Sequence, residues 1–233
     1  MLLAKNIFDA NFVERPNRFL GIVELKSEKI QCFIPNPGRM KELLTENKKV
    51  WLNSISKNNR KTSYDLIAVE HEDKIVSIDS RVPNKFVFNL LQKKYLFNFE
   101  FDEIKPEFSY KNSRLDFFLR KNNEKYLVEV KSCTLVKDKT ALFPDAPTER
   151  GARHVSELIG ALKDGYKSFI IFIIQRDDAE FFSPNEETDK NFSEKLKLAQ
   201  KEGVIIKALT NRVFIRENNL YIEPSNEIKL KIN

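Results

Sequence analysis

No run of 18 or more apolar residues occurs anywhere in this 233-residue chain, so no transmembrane helix is expected. Met1-Leu2-Leu3-Ala4, followed by Lys5 and Asn6, does not read as a signal peptide. Only two cysteines are present, Cys32 and Cys133, far apart in sequence. Such sparse thiols suit a reducing compartment, and each is expected to be a small buried residue rather than a ligand. No internal repeat and no low-complexity segment is found. A cytoplasmic protein is the expectation.

What remains is a chain long enough for one large domain or two small ones, with 41% hydrophobic residues to build a core. The net charge of +6 and a pI near 9.1 are compatible with a polyanionic partner. Residues 1–85 hold 15 Lys and Arg against 11 Asp and Glu, and the rest holds 25 against 23. Nucleic-acid contact is therefore expected first in the N-terminal region.

The patterning predicts a mixed α/β protein of two domains, residues 1–82 and 83–233. Residues 18–80 read as all-β, with strand-like segments over Arg18–Leu25, Lys29–Pro35, Lys49–Ser56, Thr62–Glu70 and Lys74–Ser80. A Pro37-Gly38 turn leads into a short helical stretch, Arg39–Leu44. Five strands and one short helix suggest a small barrel of the oligonucleotide-binding (OB) type. The helix falls after the second strand, whereas such barrels usually carry it after the third. Beyond Pro83, helices are expected over Asn84–Lys94, Glu149–Lys163 and Asn191–Lys201. Thr148 would cap the second and Gly165 would stop it, with Ala152, Val155, Leu158, Ile159 and Leu162 facing the core. Strands are expected near Tyr95–Phe101, Arg114–Arg120, Tyr126–Ser132 and Gly203–Leu209. Ser168–Ile174 reads as a strand buried on both faces. Asp177–Asp189 reads as an acidic loop. This order fits helices covering a mixed sheet.

Two short runs carry the chemistry: Ser113-Arg114-Leu115-Asp116-Phe117 and Val128-Glu129-Val130-Lys131. Both alternate apolar and charged residues, and Asn122-Asn123 between them reads as a hairpin turn. With those asparagines as the loop, Lys121 faces Glu124, and counting back sets Asp116 opposite Glu129. Opposed side chains on one face have Cβ atoms roughly 4.5–5.5 Å apart, where like charges repel. Lys131 projects from the same face as Glu129. A four-residue loop would set Asp116 opposite Lys131 instead. Paired carboxylates beside a lysine make a poor structural motif and a good site for Mg²⁺ or Mn²⁺. Such a cation takes one or two carboxylates and keeps several waters. The Val130 carbonyl would add an oxygen, and Lys131 would orient a water or stabilise charge growing on a phosphate. An isolated Glu-Val-Lys would read only as an exposed strand; the paired Asp116 argues otherwise.

Several further blocks stand in order along the chain. They are Arg18-Phe19-Leu20, Pro35-Asn36-Pro37-Gly38-Arg39-Met40, Asn59-Arg60-Lys61, Pro83-Asn84, Phe143-Pro144-Asp145-Ala146, Thr148-Glu149-Arg150-Gly151 and Phe172-Ile173-Ile174-Gln175-Arg176. Together with the two acidic runs, and Ser132 after the second, they resemble the sugar fermentation stimulation protein A family over almost the whole chain. The resemblance implies a DNA-binding protein with an N-terminal OB barrel and a C-terminal domain like the PD-(D/E)xK nucleases. Asp116, Glu129 and Lys131 would then stand as the acid, acid and lysine of that motif. Leu115, not proline, precedes Asp116. The implied reaction is metal-dependent hydrolysis of a phosphodiester in DNA or RNA. The family name records a regulatory phenotype, so the alternative is a non-catalytic DNA-binding regulator of sugar metabolism with an idle acidic site.

Secondary candidates follow. Glu107 is a possible third carboxylate for the metal, or an exposed residue after Pro106. Arg150, Arg153, His154 and Glu157 share the polar face of the long helix; Arg150 suits phosphate, and a solvated position is expected for His154. Arg114, within the first acidic run, and Gln175, at the end of a buried strand where ligands of open α/β sheets gather, are expected to contact nucleic acid. In the barrel, Arg18, Arg39, Arg60 and Lys61 are expected at the nucleic-acid backbone. Trp51 or Tyr64 would be stacking platforms, although Val50 and Leu52 beside Trp51 argue for a core position. A Cys133–His154 nucleophilic pair can be written down, but nothing in the sequence orients it.

Overall fold

The computed structural model describes residues 1–56, 60–97 and 99–232. Asn59, part of one block quoted above, lies outside the described residues, as does Asn98 within the strand expected over Tyr95–Phe101. The chain divides into two compact units. Unit 1 is Met1–Val82 with Ile174–Asp178 and Thr210–Asn226; unit 2 is Pro83–Ile173 with Ala179–Leu209 and Glu227–Asn233. Among the described residues, no helix is long and apolar enough to cross a membrane.

In chain order the first strands are β1 (Leu2–Ala4), β2 (Phe8–Asn17), β3 (Leu20–Leu25), β4 (Glu28–Phe33), β5 (Lys49–Ser54), β6 (Tyr64–His71) and β7 (Lys74–Ser77). Then come α1 (Val82–Gln92), β8 (Glu103–Tyr110), β9 (Ser113–Lys121), β10 (Glu124–Cys133), β11 (Val136–Lys137) and β12 (Thr140–Phe143). The chain ends with α2 (Glu149–Lys163), β13 (Tyr166–Ile174), β14 (Phe181–Pro184), α3 (Lys190–Glu202), β15 (Ile205–Arg216), β16 (Asn219–Glu227) and β17 (Lys229–Leu230).

In unit 1 the strands run β4-β3-β2-β5-β6, and a parallel bridge from Phe33 to Asp65 joins β4 to β6, closing a five-stranded barrel. Alternate residues point inward to a core that includes Ala10, Phe12, Val23, Ile34, Val50, Leu52, Leu66 and Val69. The first barrel strand is β2, which the sequence pattern did not reveal. Asp9, Glu14, Arg15 and Pro16 dilute its apolar signal, leaving Ala10 and Phe12 as its inward residues. The segment expected as the fifth strand is β7, which pairs only with β6 outside the ring. Counting β2 removes the apparent anomaly, since the Met40–Leu44 turn now follows the third barrel strand. That stretch forms a single turn, with Leu43 and Leu44 N–H donating to the Met40 carbonyl, rather than a helix.

Arg15 fixes the loop beside it. Its Nη1 donates to the carbonyls of Gly38 (2.8 Å) and Arg39 (2.7 Å), and its Nη2 to those of Arg18 (2.6 Å) and Asn36 (2.9 Å). One fork thus gathers two separate segments of the chain.

Unit 2 is built on the sheet order β15-β13-β10-β9-β8, with the first part of β15 belonging to it. A small second sheet runs β11-β12-β14-β17. The expected α2 is present: Thr148 Oγ1 accepts from Gly151 N–H at 3.0 Å, and α2 packs on β9, β10 and α3. Ser168–Ile174 of β13 is buried throughout, as its continuous apolar run predicts. Two expectations are corrected. Strand β8 lies at Glu103–Tyr110, not at Tyr95–Phe101, where Phe97, Phe99 and Phe101 instead cluster around Tyr126. Pro106 and the charges of β8 hid it. The acidic segment after Asp177 contains β14, anchored by the fully buried Phe182.

Removing the Arg15 fork should therefore be costly. Arg15→Ala is expected to lower unfolding free energy by about 2 kcal/mol in a urea titration, with Arg15→Lys recovering only part. Unchanged stability in Arg15→Ala would contradict the clamp.

Candidate active site

The site grows out of the β9–β10 hairpin. Pairing runs in regular antiparallel register from Lys121↔Glu124 to Val128↔Phe117, so Asn122 and Asn123 form the connecting loop. Asn122 has a left-handed φ of 52°, a conformation asparagine adopts more readily than most residues, and its N–H donates to Asp102 Oδ2 at 2.6 Å. The next step along the same register brings Asp116 and Glu129 together. Asp116 Oδ2 accepts from the Val130 N–H at 2.7 Å, which seats its carboxylate against the β10 backbone. The Asn84 amide, on α1, donates to Asp116 Oδ1 at 2.5 Å.

Glu129 is buried. Its Oε1 accepts from Lys131 Nζ at 2.6 Å and lies 2.5 Å from His154 Nδ1, while its buried Oε2 has no hydrogen-bond partner among the described residues. His154, on α2, is 2% exposed, which corrects the solvated position expected for it. Its Nε2 accepts from Arg150 Nε at 3.3 Å, leaving Nδ1 as the protonated nitrogen that donates to Glu129. The signal was available: His154 precedes Val155 and sits four residues before Leu158, at the edge of the apolar stripe.

The two carboxyls are driven apart in acidity. Burial, then the charge of Glu129, pushes Asp116 up to about 6 against the pull of Val130 N–H, Lys131 and Asn84. Burial also opposes ionisation of Glu129, but Lys131 and His154 together overcome it and hold that carboxyl below its ordinary value. An ionised Glu129 beside a reluctant Asp116 is a locally under-neutralised pair, with one oxygen that no described residue hydrogen-bonds. That arrangement fits a divalent cation held by Asp116 and Glu129. Among the described residues no group of three or more His, Cys, Asp or Glu is arranged to hold a metal ion, so a cation at this pair would take its remaining ligands from elsewhere.

The other expected residues separate. Glu107 is exposed and its carboxylate is 3.3 Å from Arg114 Nη1, so the pair neutralises itself at the surface instead of adding a third acid. Arg150 and Arg153 are exposed on α2. Gln175 is fully buried in unit 1, accepting from Ser77 Oγ (3.0 Å) and donating to the Asp79 carbonyl (3.4 Å); this structural role replaces the nucleic-acid contact expected of it. The Cys133 thiol donates to the Leu142 carbonyl at 3.3 Å, while His154 is engaged by Glu129 and Arg150, which leaves no Cys–His pair. On the barrel, Arg18, Arg39 and Lys61 are exposed, and Arg60 is bound to the buried Asp65 at 2.5 Å. Trp51 is buried and Tyr64 meets Phe8 edge-on, so neither is a free platform.

A family model described as the sugar fermentation stimulation protein RE domain matches residues 81–217, and one described as the SfsA N-terminal OB domain matches residues 13–78. The chain belongs to the sugar fermentation stimulation protein family. A sugar fermentation stimulation protein homolog of Ruminiclostridium cellulolyticum is 43% identical over 226 residues, covering 97% of this chain and 99% of that one. A homolog of the same name from Clostridium botulinum strain Langeland is 44% identical over 210 residues, or 89% and 91% of the two chains. The solved structure of Pyrococcus furiosus SfsA in complex with Ca²⁺ superposes with a TM-score of 0.88 at 31% identity, covering both chains in full. The family resemblance and the OB barrel expected from sequence are thus borne out. Asp116, Glu129, Lys131 and His154 all fall within the matched RE domain of this family member.

The raised Asp116 has a consequence for stability. Between its ordinary value of 3.8 and about 6, the folded protein keeps a proton that the unfolded chain releases, so stability falls as pH rises through that window. Asp116→Asn removes the loss. In chelator, the variant should match wild type near pH 4 and exceed it by about 2–3 kcal/mol at pH 7; identical denaturation curves at both pH values would contradict a strained carboxyl.

Proposed function

We propose that this protein binds nucleic acid in the cytoplasm and hydrolyses phosphodiester bonds with Mg²⁺ or Mn²⁺ at Asp116, Glu129 and Lys131. Residues 1–82 would grip the strand and residues 83–233 would cleave it. The observation that carries the reading is the buried acid pair with an unpartnered Glu129 oxygen beside an ammonium group. The Ca²⁺ in the Pyrococcus furiosus relative supports a hard, oxygen-seeking divalent ion for the family.

Each residue has work to do in this scheme. Asp116 and Glu129 would hold the cation, with the Val130 carbonyl as a further oxygen. The bound ion would supply Lewis-acid polarisation of a phosphoryl oxygen. His154 and Lys131 fix the orientation of the Glu129 carboxylate, and Asn84 with the Val130 N–H fixes that of Asp116. Lys131, whose Nζ donates to Glu129, would orient the attacking water and stabilise charge developing on the phosphate. Arg150 offers a guanidinium to the phosphate backbone.

End-labelled DNA, then RNA, incubated with Mg²⁺ or Mn²⁺ provides the test. Wild type should cleave, and Asp116→Ala and Lys131→Ala should each slow cleavage by about 100-fold or more. Cleavage by Asp116→Ala at the wild-type rate would overturn the proposal. Sequence-specific DNA binding without cleavage, unaffected by chelator and by Glu129→Ala, would establish the regulator instead.

A further inference from the structure

The barrel exposes an aromatic side chain at one of its turns. Phe19 is 45% exposed at the two-residue β2–β3 turn. Its backbone is held on both sides: Asn17 Oδ1 accepts from the N–H groups of Phe19 (3.0 Å) and Leu20 (3.1 Å), and the Phe19 carbonyl accepts from Ile34 N–H at 2.9 Å. The ring stacks on Phe33, with centroids 6.0 Å apart and planes 17° from parallel. The Arg60 guanidinium sits 5.4 Å from the Phe33 ring centre and is anchored by Asp65, whose second oxygen accepts from Arg81 at 2.8 Å. Arg18 adjoins Phe19 in the turn. The Arg15 fork draws the main chain of Arg39 to that of Arg18, so two exposed guanidinium side chains leave the same corner.

We infer that Phe19 and Phe33, flanked by Arg60, form a stacking platform for an unpaired nucleobase, with Arg18 and Arg39 taking the adjoining phosphates. The site rests on the nucleic-acid reading above and narrows it to single-stranded segments. A flat apolar ring edged with fixed positive charge matches a base followed by its phosphate. A base within a duplex has both faces already stacked and offers neither to Phe19. An apolar protein partner would bury the ring but leave the arginines uncompensated.

The test is anisotropy of the full-length protein in chelator, so that no cleavage intervenes. The probes are a labelled single-stranded oligothymidine, an abasic strand of equal length, and a duplex. Wild type should bind the base-bearing strand about tenfold or more tighter than the abasic one, the scale of one or two stacked bases. Phe19→Ala should bind both strands alike, and Phe19→Trp should keep the preference. Arg18→Ala and Arg39→Ala should each reduce the salt dependence by about one counterion, whereas Phe19→Ala should leave it unchanged. Equal wild-type affinity for base-bearing and abasic strands, or tighter binding of the duplex, would overturn the platform while leaving phosphate binding intact. No binding of any probe would overturn both the platform and the nucleic-acid reading.

Discussion

A two-residue connection between β9 and β10 decides where every acidic group of the site lies. Because Lys121 pairs with Glu124, a register maintained to Val128 and Phe117 delivers Asp116 to Glu129 with no freedom to slip by one residue. A slip would turn Glu129 to the opposite face and bring Val128 or Val130 to Asp116. The correct register costs two carboxyls in a dry setting, where burial and then the charge of Glu129 push Asp116 up to about 6. Lys131, His154, Asn84 and the Val130 N–H meet that cost only in part, and the unpartnered Glu129 oxygen marks the remainder. The cation of the proposed function would relieve that shortfall.

The acid pair was legible in sequence because hairpin register follows from loop length, which two adjacent asparagines declare. Helix α2 and strand β13 were legible for similar reasons: a cap, a stripe and a stop for one, a continuous apolar run for the other. Strands β2 and β8 were not, since a half-exposed barrel strand and an edge strand bearing Pro106 carry few apolar residues. Turns were hidden as well. Lys26–Ser27, Glu72–Asp73, Asp138–Lys139 and Glu217–Asn218 all take left-handed backbone without glycine, so the usual punctuation is missing. His154 was misplaced because a polar side chain beside an apolar stripe is judged by type, whereas its burial is set by what lies across from it.

The barrel uses charge in a different way from the acid pair. Arg15 is spent on four carbonyls, and Asp65, almost fully buried, is shared between Arg60 and Arg81. These interactions hold guanidinium groups and loops in place before any ligand arrives, which reduces the ordering that binding would otherwise demand. Arg18, Arg39 and Lys61 remain exposed, in the region where the excess positive charge of the chain is concentrated. The proposed function assigns gripping to the unit with the preorganised cations and cleavage to the unit with the under-neutralised acids.

The claim that the Asp116–Glu129 pair exists to hold a cation is tested most directly by calorimetric titration of the purified, metal-free protein with Mn²⁺ at neutral pH. The account predicts saturable binding that weakens as pH falls through about 6, where Asp116 takes up its proton, and that disappears in Glu129→Gln. Binding of equal affinity in Glu129→Gln and wild type would contradict it.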